Sequence, residues 1–532
     1  MPLCCHAVGP INMRAILVAV FFVPVYAWFY LTTAPIFASP DERTVAVFAE
    51  TWAETGSFKL EGVRDEHFVP RSVTTVGTAY VPSGFLGLFL IIGFVSRYLG
   101  GTVAMLVVPT LAAFAPLALF VVWKRLFSAR VAWFATVALW VFPAWAYYAG
   151  RGFLPNAAFV ACIALAFGAL SLAESSHGLK RWQSMSLFGL GGLSLGVACM
   201  IRPVELLWLL PVCVVLAWLR RHLWRELGLA VICAGIPLAI LAYWQAQTYG
   251  AWYAVGYMPP ALIGTGVVAN QVSLWTQLMS AWFPFGLHPL QAILRFVEYL
   301  VFVYWWALPW AMIGFVLLIK SVRNNRAYKM YAGLFTAISA YLILYYGSWP
   351  ISDHPDANWM SIGVAYNRYW LPIFVLAMPL LVLGVDAVVA RWRRPALRTI
   401  IWSLLLFCSV GQSFAFGPDS FWALRAHSVE YSGVAQWVIE QTSADTILIT
   451  NREEKYLWPQ RTVWFQPDQN YDFVDTLRQQ QNLDEFVWLT NLPVSHVQDL
   501  NQRLFLPAGI DIQSISQHQS YQLYVFKPSA RD

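Results

Sequence analysis

Eleven stretches of close to 20 apolar residues recur along the chain, at about 14–34, 102–122, 131–149, 156–174, 185–201, 203–219, 227–246, 299–319, 330–347, 369–389 and 399–416. A helix needs roughly 20 such residues to cross the ~30 Å hydrocarbon layer of a bilayer. The fold class that follows is a polytopic all-α membrane protein of about eleven transmembrane helices. Composition agrees: 59% of the 532 residues are hydrophobic and 12% are charged, against roughly 25% charged in a soluble domain. The net charge of +6 does not point to nucleic acid, because the basic residues sit in short loops between apolar runs.

Those basic residues set an orientation. They cluster as Lys124/Arg125/Arg130, Lys180/Arg181, Arg220/Arg221/Arg225, Lys320/Arg323/Arg326/Lys329 and Arg391/Arg393/Arg394/Arg398; with Arg14 these are half of the 34 lysines and arginines. The alternate loops carry single arginines: Arg97, Arg151, Arg202, Arg295 and Arg368. The alternation holds only if a twelfth, shorter apolar stretch, Val81–Ser96 ("VPSGFLGLFLIIGFVS"), enters and leaves on the same side, lying along or dipping into the outer leaflet. The N-terminus is then inside and the C-terminal region outside.

Three regions outside the spans face outward on this topology. The loop 35–80 carries seven acids; the loop 247–298 is rich in Trp, Tyr and Pro and nearly uncharged, which places it against the membrane surface. The third region, 417–532, turns soluble in composition after the membrane domain spanning 1–416. In it "TILIT" (446–450), "TVWF" (462–465), "FVWLT" (486–490) and "YQLYVF" (521–526) read as strands, and "VAQWVIEQT", "FVDTLRQQQ" and "VQDLNQRLF" as helices. Strands alternating with helices predict a small three-layer α/β domain. It has no glycine fingerprint for nucleotides, so it reads as accessory. The seven cysteines show no disulfide or zinc spacing, and Cys4-Cys5 belong to a dispensable leader if Met13-Arg14 is the natural start.

The first outward loop opens with "SPDERTVAVFAETWAETG" (39–56). Ser39 and Glu42 have capping-box spacing, Pro40 suits the first helical position and Gly56 is a stop signal. At about 100° per residue, Val45, Phe48 and Trp52 fall on one side, with Arg43, Glu50 and Glu54 opposite. Asp41 lies on the apolar side. Acids in a first turn complement the helix dipole, but an acid turned away from solvent calls for a second reason. The single arginines Arg151 ("GRGFLPN"), Arg202 ("IRPVE") and Arg368 ("YNRYWLP") each stand at the end of a span. Taken alone, each snorkels or pairs locally, as Arg202 with Glu205. Taken together opposite an acidic loop, they fit a phosphate site at the membrane surface, because the guanidinium fork binds phosphate bidentately and stays charged.

An Asp-Glu pair opening the first outward loop, ahead of an amphipathic helix and a Pro/Gly-marked apolar helix, resembles the GT-C membrane glycosyltransferases, in their protein O-mannosyltransferase and aminoarabinose transferase branch. The layout of residues 14–416 is similar; "RYWLP" (368–372) looks like the opening of a late span in those enzymes, and "WVIEQTSADTILITN" with "YLWPQRTVWF" resembles their outward C-terminal domains. The resemblance implies a sugar donor on polyprenyl phosphate, an acceptor hydroxyl or amine on the outer (periplasmic) face of a bacterial inner membrane, and a loop carboxylate as base. It assigns Asp41 as base with Glu42 in support, and Arg151, Arg202 and Arg368 to the lipid phosphate. Asp65, Glu66 and His67 form a rival site in the same loop; Asn156 and Tyr369 are secondary candidates. Where many relatives have an Asp after the fourth-span arginine this chain has Asn156, and with no His/Cys/carboxylate cluster elsewhere no obligatory metal is expected. His67, His288 and His354 each read as surface histidines. The competing classes are a transporter or flippase of lipid-linked saccharide and a non-catalytic scaffold; the scarcity of mid-span charges argues against transport.

The orientation is checked by labelling. A cysteine at Gly100 is expected to react with an impermeant thiol reagent added outside, and one at Ser128 to be protected; the reverse pattern would contradict a Val81–Ser96 segment that does not cross.

Overall fold

The computed structural model describes residues 13–32, 37, 39–65, 67–175, 179–257, 282–322, 325–351, 360–392, 394–467, 471–480 and 482–529. Within them, seven helices are long and apolar enough to cross a membrane: 101–126, 155–174, 181–201, 221–249, 326–347, 371–392 and 396–414. An eighth crossing arises if Ala129–Val141 and Pro143–Gly150 form one span bent by 52°. Pro143 explains the bend, since it cannot donate to the preceding turn. The other expected crossings are shorter apolar helices over 13–28, 203–219 and 308–321, so length and composition alone give seven or eight crossings rather than eleven. At 299–319 the reason is local: Val297–Phe302 is a wide π-type turn, and the α-helix starts only at Leu308.

Close approach of backbones organises the bundle. A Cβ on Gly314 would stand 1.8 Å from the Leu380 carbonyl oxygen, and one on Gly384 2.0 Å from that of Trp310. Helices Leu308–Ser321 and Leu371–Trp392 therefore pack through small residues, as apolar helices in lipid do. This contact fixes the helix that follows the "RYW" segment.

The first long loop folds into more than its sequence predicts. Helix α1 (Met13–Thr32) leads to helix α2 (Pro40–Thr55), whose bounds are as expected: the Ser39 hydroxyl accepts from the Asp41 amide, and Gly56 takes φ 73° with its amide donating to the Trp52 carbonyl, while the Glu42 carboxylate goes to Arg151 instead of to a capping box. Strands β1 (Leu60–Glu61), β2 (Val73–Val76) and β3 (Ala79–Pro82) then form an antiparallel sheet in the order β1-β3-β2. Gly77, at φ 61°, supplies the positive φ that the two-residue turn between β2 and β3 requires. Helix α3 (Gly87–Leu99) has 13 residues, about 20 Å, too short to cross. A Cβ on Gly87 would meet the Met200 carbonyl at 2.1 Å, so α3 is seated directly against the turn that carries Arg202.

The C-terminal region contains a mixed five-stranded sheet in the order β5-β4-β6-β8-β7, with β4 Ile447–Thr450, β5 Thr462–Phe465, β6 Phe486–Thr490, β7 Ile510–His518 and β8 Tyr521–Pro528. The four expected strands are present; β7, polar and alternating, went unread. One face buries Ile447, Ile449, Trp464 and Trp488 under Phe473, Leu477, Val497 and Phe505. The other buries Leu448, Val463, Val487 and Leu523 in a core continuous with helix Phe421–Gln441 and the membrane helices. Phe68, from the first loop, inserts into the first face 5.1 Å from Trp464 and 5.8 Å from Phe486, ring to ring. The first long loop and the sheet share a core.

Candidate active site

Each of the three arginines stands where one helix stops and another begins, with a proline just beyond. Helix Pro143–Gly150 ends at Arg151 and the next helix begins at Pro155. Helix Arg181–Ile201 ends at Arg202, before a 3-10 turn Pro203–Glu205. Arg368 lies in the short helix Ala365–Tyr369, ahead of Leu371–Trp392. Proline disfavours helical backbone in the residue before it and lacks an N–H, which accounts for the break at Arg202 before Pro203; Pro155 opens the helix after Arg151, and Pro372 lies in the first turn of the helix after Arg368.

All three reach a carboxylate. Arg368 Nη1 donates to Asp41 Oδ2 at 2.9 Å, and the Ser72 hydroxyl donates to Asp41 Oδ1 at 2.6 Å. Arg151 grips Glu42 with two nitrogens, Nε to Oε1 at 2.7 Å and Nη2 to Oε2, while its Nη1 donates to the Tyr147 hydroxyl at 2.7 Å. Arg202 Nε donates to Glu205 Oε1 at 3.0 Å and Nη2 to the Tyr346 hydroxyl at 3.0 Å. Glu205 also accepts from Tyr346 at 2.6 Å and from Trp208 Nε1 at 2.5 Å. The Arg202–Glu205 pairing is thus the local one the sequence allowed.

Tyr369 joins two of these pairs. The Arg202 and Arg368 guanidinium carbons each lie 5.0 Å from its ring centroid, and the Tyr346 ring stacks on it at 4.2 Å. Arg368 Nη2 also donates to the Tyr369 hydroxyl at 3.2 Å. Two guanidiniums against one aromatic ring form a compact cationic surface, and Asp41 lies at its edge. Exposure separates the two acids: Glu42 is 1% exposed, whereas the Asp41 side chain is 33% exposed. Burial pushes the Asp41 carboxyl up, but the Arg368 charge and the hydrogen bonds from Ser72 and Arg368 outweigh it and hold it below its ordinary value. Asp41 is the accessible carboxylate; Glu42 is locked.

The remaining candidates fall elsewhere. Asp65 bonds the backbone amide and ring of the adjacent, exposed His67, at 2.9 and 2.6 Å, so this carboxylate serves its own turn. Glu66 and His354 lie outside the described residues. Asn156 is buried at the start of the helix after Arg151, and His288 is exposed beside the short helix Pro289–Phe296. Among the described residues no three His, Cys, Asp or Glu side chains converge as a metal site. Two neighbours went unread. Asp419 Oδ2 accepts from the Gly363 amide at 3.0 Å, and a Cβ on Gly363 would lie 2.8 Å from the Tyr147 hydroxyl. Asp419 also lines a cavity of about 380 Å³ with Ser361, Gln412 and Phe416. Ser72 is the second.

No protein-family model matches the chain, and no curated protein matches it by sequence. Solved structures do. ArnT from Cupriavidus metallidurans bound to undecaprenyl phosphate is similar over 96% of this chain and 97% of its own, at a TM-score of 0.56 and 13% identity. The chain has the GT-C fold. The apo form of the same ArnT gives a TM-score of 0.54 at 14% identity, over 96% of this chain and 98% of its own. The Archaeoglobus fulgidus oligosaccharyltransferase in complex with Zn and sulfate gives 0.50 at 11% identity, over 85% of this chain and 62% of its own. Both neighbours are GT-C proteins. On this fold the arginine-ended helices and the acidic helix α2 meet on one side of the bundle.

The Glu42–Arg151 pair makes its own prediction. Removing one partner of a buried ion pair leaves the other charge uncompensated, at about 3–5 kcal/mol. Glu42→Ala should therefore lower the thermal midpoint of the detergent-solubilised protein markedly, and Glu42→Leu combined with Arg151→Met should recover some of the loss. An unchanged midpoint in Glu42→Ala would contradict the pairing.

Proposed function

We propose that the protein is an integral-membrane glycosyltransferase that moves a sugar from a polyprenyl-phosphate carrier to an acceptor hydroxyl or amine at the outer face of a bacterial inner membrane. The observation that carries this is the contact between one accessible carboxylate, Asp41, and the Arg368–Tyr369–Arg202 surface, on a GT-C fold. The eleven-crossing topology with an inside N-terminus and an outside C-terminus belongs to the same proposal, as does the division into a membrane domain, residues 1–416, and an outward domain, residues 417–532. Further partners are membrane lipids; nucleic acid has no place in it.

The reaction is a single displacement. The donor phosphate binds Arg368 and Arg202, and Arg368 exchanges Asp41 for phosphate oxygens. Freed of that charge, Asp41 becomes more basic, which is when a base is needed. It takes the proton from the acceptor O–H or N–H as that atom attacks the sugar's anomeric carbon. The bond from the anomeric carbon to the phosphate oxygen breaks, its electron pair staying on the phosphate. The arginines stabilise the charge that develops there, and Tyr369 fixes their spacing. Glu42 supports the site by anchoring α2 through Arg151, and no obligatory metal is involved.

The test is turnover in reconstituted membranes with a panel of undecaprenyl-phosphate-linked sugars. Asp41→Asn should lower kcat by about 10²–10⁴-fold, the usual worth of general-base help, with donor KM nearly unchanged. Arg368→Ala and Arg202→Ala should raise donor KM on the order of tenfold or more, as loss of charged hydrogen bonds does. Glu50→Gln, on the exposed face of α2, should be silent, and chelator should leave transfer intact. Wild-type turnover in a folded Asp41→Asn variant would overturn the base assignment. Translocation of the lipid-linked sugar without transfer would overturn the reaction class in favour of a flippase.

A further inference from the structure

Ser72 has a backbone that its sequence does not favour. It takes φ 63° without being glycine, in the left-handed region that L side chains adopt only when their surroundings compel it. What the conformation achieves is visible on both sides of it. The Ser72 hydroxyl donates to Asp41 Oδ1 at 2.6 Å, and its carbonyl accepts from the Ser83 amide at 2.9 Å, beyond the end of β3. The preceding residue, Arg71, turns the other way, into the C-terminal sheet domain. Its Nε donates to Glu454 Oε1 at 2.6 Å, and its guanidinium carbon lies 4.8 Å from the centroid of Phe465 on β5.

Glu454 is fully buried, and its second oxygen, Oε2, has no hydrogen-bond partner. Burial pushes its carboxyl up and the Arg71 charge opposes this. A buried carboxylate with one unsatisfied oxygen is expensive on its own, so its pairing with Arg71 reads as a fixed point rather than an exchangeable surface contact. A second tie runs beside the first: Arg43 Nε on α2 donates to the Trp458 carbonyl at 2.6 Å, and Phe48 packs 5.7 Å from the Trp458 ring. The segment Glu454–Trp458 thus grips both α2 and the peptide that carries Ser72.

We propose that the C-terminal sheet domain positions the base, Glu454 holding Arg71 so that the adjoining Ser72 is locked with its hydroxyl on Asp41. Ser72 and Glu454 are positioning residues; neither touches the reacting atoms. The proposal rests on Asp41 being the base for its catalytic meaning, but the contact it asserts is measurable without substrate. It gives the 417–532 region a role in the site, where the sequence offered an accessory domain.

The groups that face Asp41 limit what a titration can report. They are Arg368, Arg71 and the Ser72 hydroxyl, together with the Tyr257 phenol, which burial and the Asp41 charge push up. Around Glu454 stand Arg71, Glu453 and Lys455, the last pushed down to about 8 by burial. Only the hydrogen bond from Ser72 is removed by a change at that side chain.

The experiment titrates Asp41 in the full-length reconstituted protein, by carboxylate infrared difference spectra of each variant against the same variant carrying Asp41→Asn. In the wild type the Asp41 signal should protonate below the ordinary carboxylate range. Ser72→Ala and Ser72→Gly should each raise its midpoint by about one pH unit, as loss of a hydrogen bond to the charged form does. Glycine also relieves the left-handed φ, so an equal shift in both variants assigns the effect to the hydroxyl. Glu454→Gln also leaves the Arg71 charge uncompensated, which lowers the Asp41 midpoint in any background, so the readout is the Ser72→Ala shift itself, which should be smaller in the Glu454→Gln background than in the wild type. An unmoved midpoint in Ser72→Ala and Ser72→Gly would overturn the proposal, even where thermal stability falls, and so would a Ser72→Ala shift of the same size with and without Glu454→Gln. Turnover of Asp41→Asn decides the base reading separately, so either can fail without the other.

Discussion

Two adjacent carboxylates in the first turn of α2 are each held by a guanidinium from a different helix end, and the candidate site depends on that double hold. Asp41 and Glu42 lie about 100° apart around the helix, so fixing both fixes the rotation of α2 as well as its height. Arg151 comes from the break before Pro155 and Arg368 from the segment before Leu371–Trp392. Glu42–Arg151 is buried on both sides, so breaking it strands a charge in apolar surroundings. Asp41–Arg368 is partly open to solvent, so its arginine can change partners at lower cost. One pair anchors the helix and the other is free to exchange.

The aromatic surroundings divide the arginines further. Arg202 is committed to Glu205 and Tyr346 within the body of the protein, yet it shares the Tyr369 ring with Arg368. A phosphate reaching Arg368 therefore meets a second positive charge across one ring, without a second exposed arginine having to be desolvated. Helix α3, seated on the Met200 carbonyl through Gly87, fixes the turn holding Arg202. The Gly314–Gly384 contact does the same for the helix after Tyr369.

Much of this frame was legible because local rules set it. The arginines stand at helix ends as their place in the sequence suggests, Ser39-Pro40 and Gly56 bound α2, and the apolar side of α2 at Val45 and Phe48 is the buried side. Partners distant in sequence were not legible. Glu42, read as half of a capping box, is claimed by Arg151, 109 residues away. Arg43, placed on a solvent face, is covered by Trp458, 415 residues on. Ser72 carries no motif, since its role comes from a backbone angle imposed by its neighbours. Strand β7 and the small sheet of the first loop escaped because their residues are polar or few, and only pairing makes them strands. Asp419 belongs by composition to the C-terminal region, although its carboxylate turns back to Gly363.

The proposed reaction requires Arg368 to leave Asp41 for the donor phosphate. It is tested most directly by an experimental structure of the reconstituted protein saturated with undecaprenyl phosphate, compared with the lipid-free form. Phosphate oxygens are expected within hydrogen-bond distance of Arg368 and Arg202, with Asp41 released from Arg368 and still bonded to Ser72. A phosphate bound elsewhere, with the Asp41–Arg368 pair intact, would contradict it.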